Sequence, residues 1–298
     1  MLLKLKQIVQ NIFKITKLEN ELSEQSQILQ QCTQIAQKSF FFNVKQNNVS
    51  SYPHSINDFG FSIFSQFNED GIVLYIFAVI GFTNKYCLDI AFANPVGANT
   101  TNLLLNWGFN GLLICGDEKE RISSTSFFKQ NHNTWLLPPK IINSWVTIEN
   151  IATTLLQEHV PEEIDFFSLD MDGVDYYILR EILKVIQPRL IVVEAQNIWK
   201  TEKSVTVRYN SDFNRFKFHE DYCGASIPAF VKLLKENNYK LVAHNKYGFN
   251  IFFIKENLGG DYLPEIKAAD CIANLPNYYI EELDKRKKEI EHLDWVEV

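Results

Sequence analysis

Apolar residues in the first part of the chain recur with a helical period. Ile8, Ile15, Leu22 and Leu29 fall seven apart within residues 1–38, a stretch free of Gly and Pro. The intervening position is mixed, with Asn11, Leu18, Gln25 and Cys32. This predicts a helical arm that either pairs with another copy as a coiled coil or folds back on its own domain. Residues 39–64 lose the period and are rich in Asn and Ser, which predicts an irregular linker.

From Gln66 onward the pattern alternates between short apolar runs and helical spacing. Helices are expected over 69–80, 100–107, 147–159, 175–186 and 225–237. Strands are expected over 86–92, 111–115, 164–169 and 189–194, with a further one from 135–138 and 141–146. Thr147 is placed to cap its helix, and Glu149 sits in the first turn, where the dipole favours an acid. Residues 239–243 and 250–255 read as the two strands of a closing hairpin. Residues 195–223 form a long loop rich in aromatic and basic side chains, and the tail from Glu281 reads as a solvated or frayed helix. Strands alternating with helices predict a Rossmann-like α/β domain over 65–256. Its sheet is mostly parallel, with right-handed crossovers and a C-terminal antiparallel hairpin at one edge. A helical extension is expected over 257–298.

Composition narrows the function. Apolar residues make up 46 % of 298 positions, enough for a sizeable core. The formal charge of −7 argues against a nucleic-acid partner, because phosphate neutralisation needs a basic face. No apolar run reaches the length of a membrane span, and Lys4, Lys6, Gln7, Gln10 and Asn11 interrupt any leader-like pattern. Five scattered cysteines without a C-x-x-C fit free thiols in a reducing cytoplasm.

The densest chemistry lies in I-D-F-F-S-L-D-M-D-G-V-D-Y-Y, where Asp170, Asp172 and Asp175 surround Gly173 directly after an apolar strand. Open α/β sheets bind ligands at the carboxyl ends of their strands. Three acids there need a cation, a donor-rich ligand or a proton to offset their repulsion. The plainer alternative is that Asp172 or Asp175 only caps the next helix, and Asp175 is read as the start of that helix. Glu194 ends the following strand. With strands about 4.8 Å apart, Asp170, Asp172 and Glu194 form an all-oxygen set suited to Mg2+ or Mn2+, or else a group of solvated or sugar-binding turn residues. His219, beside Asp221 and Tyr222, is the candidate general base. His54, His132, His159, His244 and His292 lie in weaker contexts. Lys200, Lys203 and Arg208, near Trp199 and Tyr209, either contact an anionic or sugar substrate or belong to an exposed loop.

Four blocks occur in order: S-Q-F-N-E-D-G (65–71), N-T-T-N-L-L-L-N-W-G-F-N-G-L-L-I (99–114), the acidic block above, and H-E-D-Y-C-G-A-S (219–226). Together they resemble the FkbM-like family of class I S-adenosylmethionine-dependent methyltransferases. The resemblance covers about residues 60–256. It implies methyl transfer to a hydroxyl of a sugar or another small natural product, with or without a divalent metal. It also implies S-adenosylmethionine contacts at Gln66, Asp89, Ala91, Ala93, Asn99, Asp117 and Asp170, and a catalytic pair of His219 and Asp170. Two departures stand out. Ala91, Ala93 and Pro95 occupy positions where the family tends to have glycine, with Gly97 in partial compensation. Cys115 stands where an acid usually binds the ribose, with Asp117 two residues on. The rival readings are therefore a methyltransferase-like domain that lost its cofactor loop and acts as a binding or scaffold protein, and a metal-dependent enzyme without the cofactor.

Overall fold

The computed structural model describes residues 2–46 and 55–298. Residues 47–54 of the expected linker, with His54, lie outside the described residues. The chain divides into two compact units, 1–48 and 49–298.

The first unit is one helix, α1 (Leu2–Gln46), which runs on past the expected end of the arm at 38. Ile15, Leu18, Leu22 and Leu29 are exposed along it.

The second unit opens with α2 (Glu69–Ile80), β1 (Tyr86–Ile90), α3 (Thr101–Asn106), β2 (Asn110–Cys115), α4 (Glu118–Gln130) and β3 (Lys140–Asn143). It continues with α5 (Ile151–Gln157), β4 (Glu163–Leu169), α6 (Asp175–Ile182), β5 (Gln187–Glu194), β6 (Val205–Val207) and α7 (Ile227–Glu236). It ends with β7 (Tyr239–His244), β8 (Asn250–Lys255), α8 (Asp270–Ala273), α9 (Asn277–Ile290) and β9 (Trp295–Glu297). Seven strands form one sheet in the order β3-β2-β1-β4-β5-β8-β7. β8 runs antiparallel to both β5 and β7, so the reversed strand sits one place in from the edge. The remaining pairs are parallel. Central strands are covered on both faces, so they read as near-continuous apolar runs. Leu88, Ile90, Leu112, Ile114, Phe166, Phe167, Ile191 and Val193 are all fully buried or nearly so.

Several expectations are corrected. Residues 135–138 are not a strand, and Trp135, Leu136 and Leu137 are exposed. Thr147 does not cap α5. Its carbonyl accepts from Asn150 and Ile151 in a preceding turn, so the helix starts later. α6 stops at Ile182. α4 was not foreseen, nor was the two-stranded β6–β9 sheet, which brings the C-terminal end onto the 195–223 loop. The extension after 257 is therefore helical only in part.

Candidate active site

Leu169 at the end of β4 pairs with Val193 in β5, so Asp170 and Glu194 leave the sheet side by side at its C-terminal edge. Asp170, Asp172 and Glu194 each offer an oxygen within 4.8 Å of the others. Burial pushes the Glu194 carboxyl well above its ordinary range, with the charge of Asp170 and a hydrogen bond to it acting in the same direction. Asp172 sits at φ +54°, a left-handed turn that Asp tolerates better than most residues. It is ion-paired with Arg215. Asp175 does begin α6, but it is not a solvent-facing residue. It is buried and accepts from the Met171 N–H at 2.7 Å and the Gly173 N–H at 2.9 Å, which closes the turn that presents Asp170 and Asp172. Burial raises its pKa to about 7.

Three cavities lie along this edge. The first, about 150 Å³, is polar and includes Asp172, Glu194, Arg215, Asp221, Tyr279 and Arg286 in its lining. Arg286 of α9 grips Asp221 with two guanidinium nitrogens, so the C-terminal extension supplies one wall. The second, about 330 Å³, lies over β1 and β4 and includes Gln66, Asp89, Ala93, Asn99, Ser168 and Asp170. Asp89 is buried and its pKa rises to about 7 through burial, opposed by the Thr100 hydroxyl that donates to it at 2.6 Å. Asn99 donates to the Ser168 hydroxyl at 3.3 Å. The third, about 90 Å³, is mostly apolar and includes Ile114, Trp145, Met171, Val174 and Phe213. The Trp145 indole N–H donates to the Ser211 carbonyl at 2.7 Å, joining the end of β3 to the 208–218 segment. Ala91, at φ +65°, lines both the second and the third.

The S-Q-F-N-E-D-G block is mostly scaffold around one cavity-lining residue, Gln66. One Asp70 oxygen accepts from the N–H groups of Ile63, Phe64 and Ser65, at 2.7, 2.7 and 2.9 Å. Glu69 accepts from the side-chain amides of Asn245 and Asn250, tying this loop to the β7–β8 hairpin. Gln66 is exposed between these anchors and faces the second cavity.

Two site candidates stand apart from the cavity linings. Asp117 caps α4, accepting from the N–H groups of Lys119 and Glu120 at 2.7 and 3.0 Å, directly after β2. His219 Nδ1 accepts from the Asp221 N–H at 3.1 Å, and its Nε2 lies 3.3 Å from a Glu289 oxygen of α9. Its ring thus braces the loop against α9 in this conformation. Lys200, Lys203 and Arg208 are also engaged, with Asp284, the Trp199 ring and Asp294 respectively. Sequence reading missed Ser168, Arg215, Phe213, Tyr279 and Arg286, which only tertiary folding brings to the edge. Trp145 fell inside the expected strand 141–146, but β3 ends at Asn143, which leaves Trp145 just beyond the strand end.

The profile described as the methyltransferase FkbM domain matches residues 71–241, more than half the chain. The chain belongs to the FkbM methyltransferase family. Membership places it among the class I S-adenosylmethionine-dependent methyltransferases, as the four sequence blocks implied. A search of curated proteins finds no match. Among solved structures, the chain is similar to the O-methyltransferase from Bacillus cereus, solved in complex with SAH. Identity is 14 % with a TM-score of 0.38, covering 57 % of this chain and 72 % of that one. An O-methyltransferase from a trans-AT PKS multienzyme of Brevibacillus brevis, in complex with S-adenosyl-L-homocysteine, is 11 % identical. Its TM-score is 0.35, over 69 % of this chain and 61 % of that one. The CurJ carbon methyltransferase is 10 % identical with a TM-score of 0.41, over 62 % of this chain and 52 % of that one. The chain thus spans less than two thirds of the last two. The FkbM match ends at 241, so Tyr279 and Arg286 lie outside it. Among the described residues, no helix is long and apolar enough to cross a membrane.

Proposed function

We propose that this FkbM domain transfers a methyl group from S-adenosylmethionine to a hydroxyl of a sugar or another small natural product. The observation that supports it best is that the second cavity, rich in polar side chains, meets the apolar third at Ala91, beside the acidic first cavity. The cofactor has a flat base at one end and an ionised amino-acid group at the other. The residues fit both: Ile114, Trp145, Met171 and Phe213 for the base, and Gln66, Asp89, Ala93, Asn99 and Asp170 for the polar end. Asp117, just beyond β2, is the candidate for the ribose. Once bound, the cofactor supplies an electrophilic sulfonium methyl.

Asp170 stands where donor and acceptor meet. It lines the polar cofactor cavity and is hydrogen-bonded to Glu194, which lines the acidic cavity. In this reading Glu194 keeps a proton and donates to Asp170, and the Asp170 carboxylate takes the proton of the attacking hydroxyl. Tyr279 and Phe249 line this cavity as aromatic partners for the acceptor, and the carboxylates accept from its hydroxyls. The excess of acids in this cavity disfavours a phosphodiester acceptor. His219 enters as a base only if it leaves Glu289. Free thiols at all five cysteines fit a reducing cytoplasm.

A second reading rests on the 4.8 Å grouping of Asp170, Asp172 and Glu194: Mg2+ or Mn2+ held there would orient a diol and acidify the attacking hydroxyl. Arg215 competes with it for Asp172. Calorimetric titration of S-adenosylhomocysteine, with and without Mg2+, separates the readings. Binding without Mg2+, lost in Asp89→Ala, supports the methyltransferase. No binding in either condition leaves a scaffold or a cofactor-free enzyme. Methyl transfer fully retained in chelator removes the metal.

A further inference from the structure

Ala91 directly follows β1, and its φ of +65° is a conformation glycine enters freely and alanine does not. A methyl group is therefore kept there against the local preference of the backbone. Its position is particular, because it lines both the polar cavity on the Asp89 side and the apolar cavity on the Trp145 side. Ala91 is the residue the two linings share, so a ligand that spans them passes beside it. The loop is not free to swing aside. The Gly97 N–H donates to the Phe64 carbonyl at 2.6 Å, the Ser124 hydroxyl donates to the Ala93 carbonyl at 3.2 Å, and the Phe92 N–H donates to the Ile114 carbonyl at 3.0 Å.

We propose that the Ala91 methyl sets the affinity of this chain for adenosyl ligands, holding them off the backbone so that substrate and product are both bound weakly. The proposal rests on the methyltransferase reading above. A single methyl in a close-fitting site changes affinity on the order of tenfold. Ala91→Gly removes the methyl and the steric conflict together, so tighter binding should come without loss of stability. Pro95→Ala is the control, because it frees the same loop at a residue that lines neither cavity.

The test is calorimetric titration of S-adenosylhomocysteine into the full chain and both variants, with thermal melts of each unliganded protein. The expected result is Ala91→Gly binding about tenfold more tightly than the parent, with a melting temperature no lower, and Pro95→Ala binding within about twofold of the parent. Equal or weaker binding by Ala91→Gly, with the parent binding measurably, overturns this inference and leaves the methyltransferase reading standing. The same gain in Pro95→Ala assigns the effect to general loosening of the loop and also overturns it. Binding by neither the parent nor Ala91→Gly removes both. Binding by Ala91→Gly alone supports both.

Discussion

At the scale of single residues, the buried acids differ in what they do. Asp70 satisfies three backbone donors, and Asp165 accepts from the N–H groups of Thr83, Asn84 and Lys85 at the opposite end of the sheet. Asp89 has one donor, Thr100, and faces a cavity, so burial leaves its pKa at about 7. An unfolded Asp titrates near 3.9. Between those values the folded state holds a proton that the unfolded chain has released. The contribution of Asp89 to stability is thus fully present below about pH 4 and is lost as pH rises through 7, a change of a few kcal/mol. Asp89→Asn keeps an acceptor for Thr100 and removes the titration. Melting temperature measured from pH 4 to 8 should fall less steeply with rising pH in Asp89→Asn than in the parent. Parallel curves would place the proton elsewhere. Asp175, also near 7, contributes in the same direction and keeps part of the slope in that variant. Asp175→Asn replaces one acceptor oxygen with a donor against the N–H groups of Met171 and Gly173. The expected cost is about 1–3 kcal/mol in urea denaturation at neutral pH, against the mild effect expected of a helix-start residue.

At the scale of elements, the segment ahead of α2 is built by close approach. Gly71 donates to the Phe61 carbonyl at 3.0 Å, and a Cβ at Gly71 would overlap the Phe59 carbonyl oxygen and the Phe61 nitrogen, both backbone atoms. Gly71→Ala should lower stability by roughly 1–3 kcal/mol. It should also weaken S-adenosylhomocysteine binding, because the same loop holds Gln66 at the polar cavity. A urea midpoint equal to the parent's would contradict this packing. The sequence signals track these elements unevenly. β1, β2, β4 and β5 were legible because strands covered on both faces become apolar runs, and their ends located Asp89, Asp170 and Glu194. α4 was not legible, because only Ser124 and Phe128 of it are buried and its apolar stripe is too thin to read. β6 and β9 are three residues each, below the length at which alternation means anything. Arg215, Tyr279 and Arg286 reach the acidic cavity through the 208–223 loop and α9, and no local pattern announces a long-range contact. Asp117 shows the converse: its place after β2 was legible, but not the capping role that occupies one of its oxygens.

At the scale of the whole molecule, the residues that line the three cavities belong to the unit 49–298. α1 is 45 residues long, roughly 68 Å at the helical rise, and Ile15, Leu22 and Leu29 are 55 %, 72 % and 67 % exposed. They repeat every seven residues, with Leu18 also exposed at the intervening position. A row of this period closes into a continuous seam when a second helix supercoils against it. Gln25 and Cys32 interrupt the intervening row, which limits the strength of such a seam and leaves dimerisation dependent on concentration. The arm is therefore expected to join copies of the chain while leaving cofactor binding untouched. Replacing Ile15, Leu22 and Leu29 together by Asn removes the apolar row from positions that are already in water. Multi-angle light scattering should then report more than one chain per particle for the parent and a single chain for the triple variant, with equal S-adenosylhomocysteine affinity in both. A parent that is monomeric at the highest concentration tested, or a variant that keeps the parent's mass, would rule out the coiled coil. A variant that loses ligand affinity along with its mass would show instead that assembly and the site are coupled.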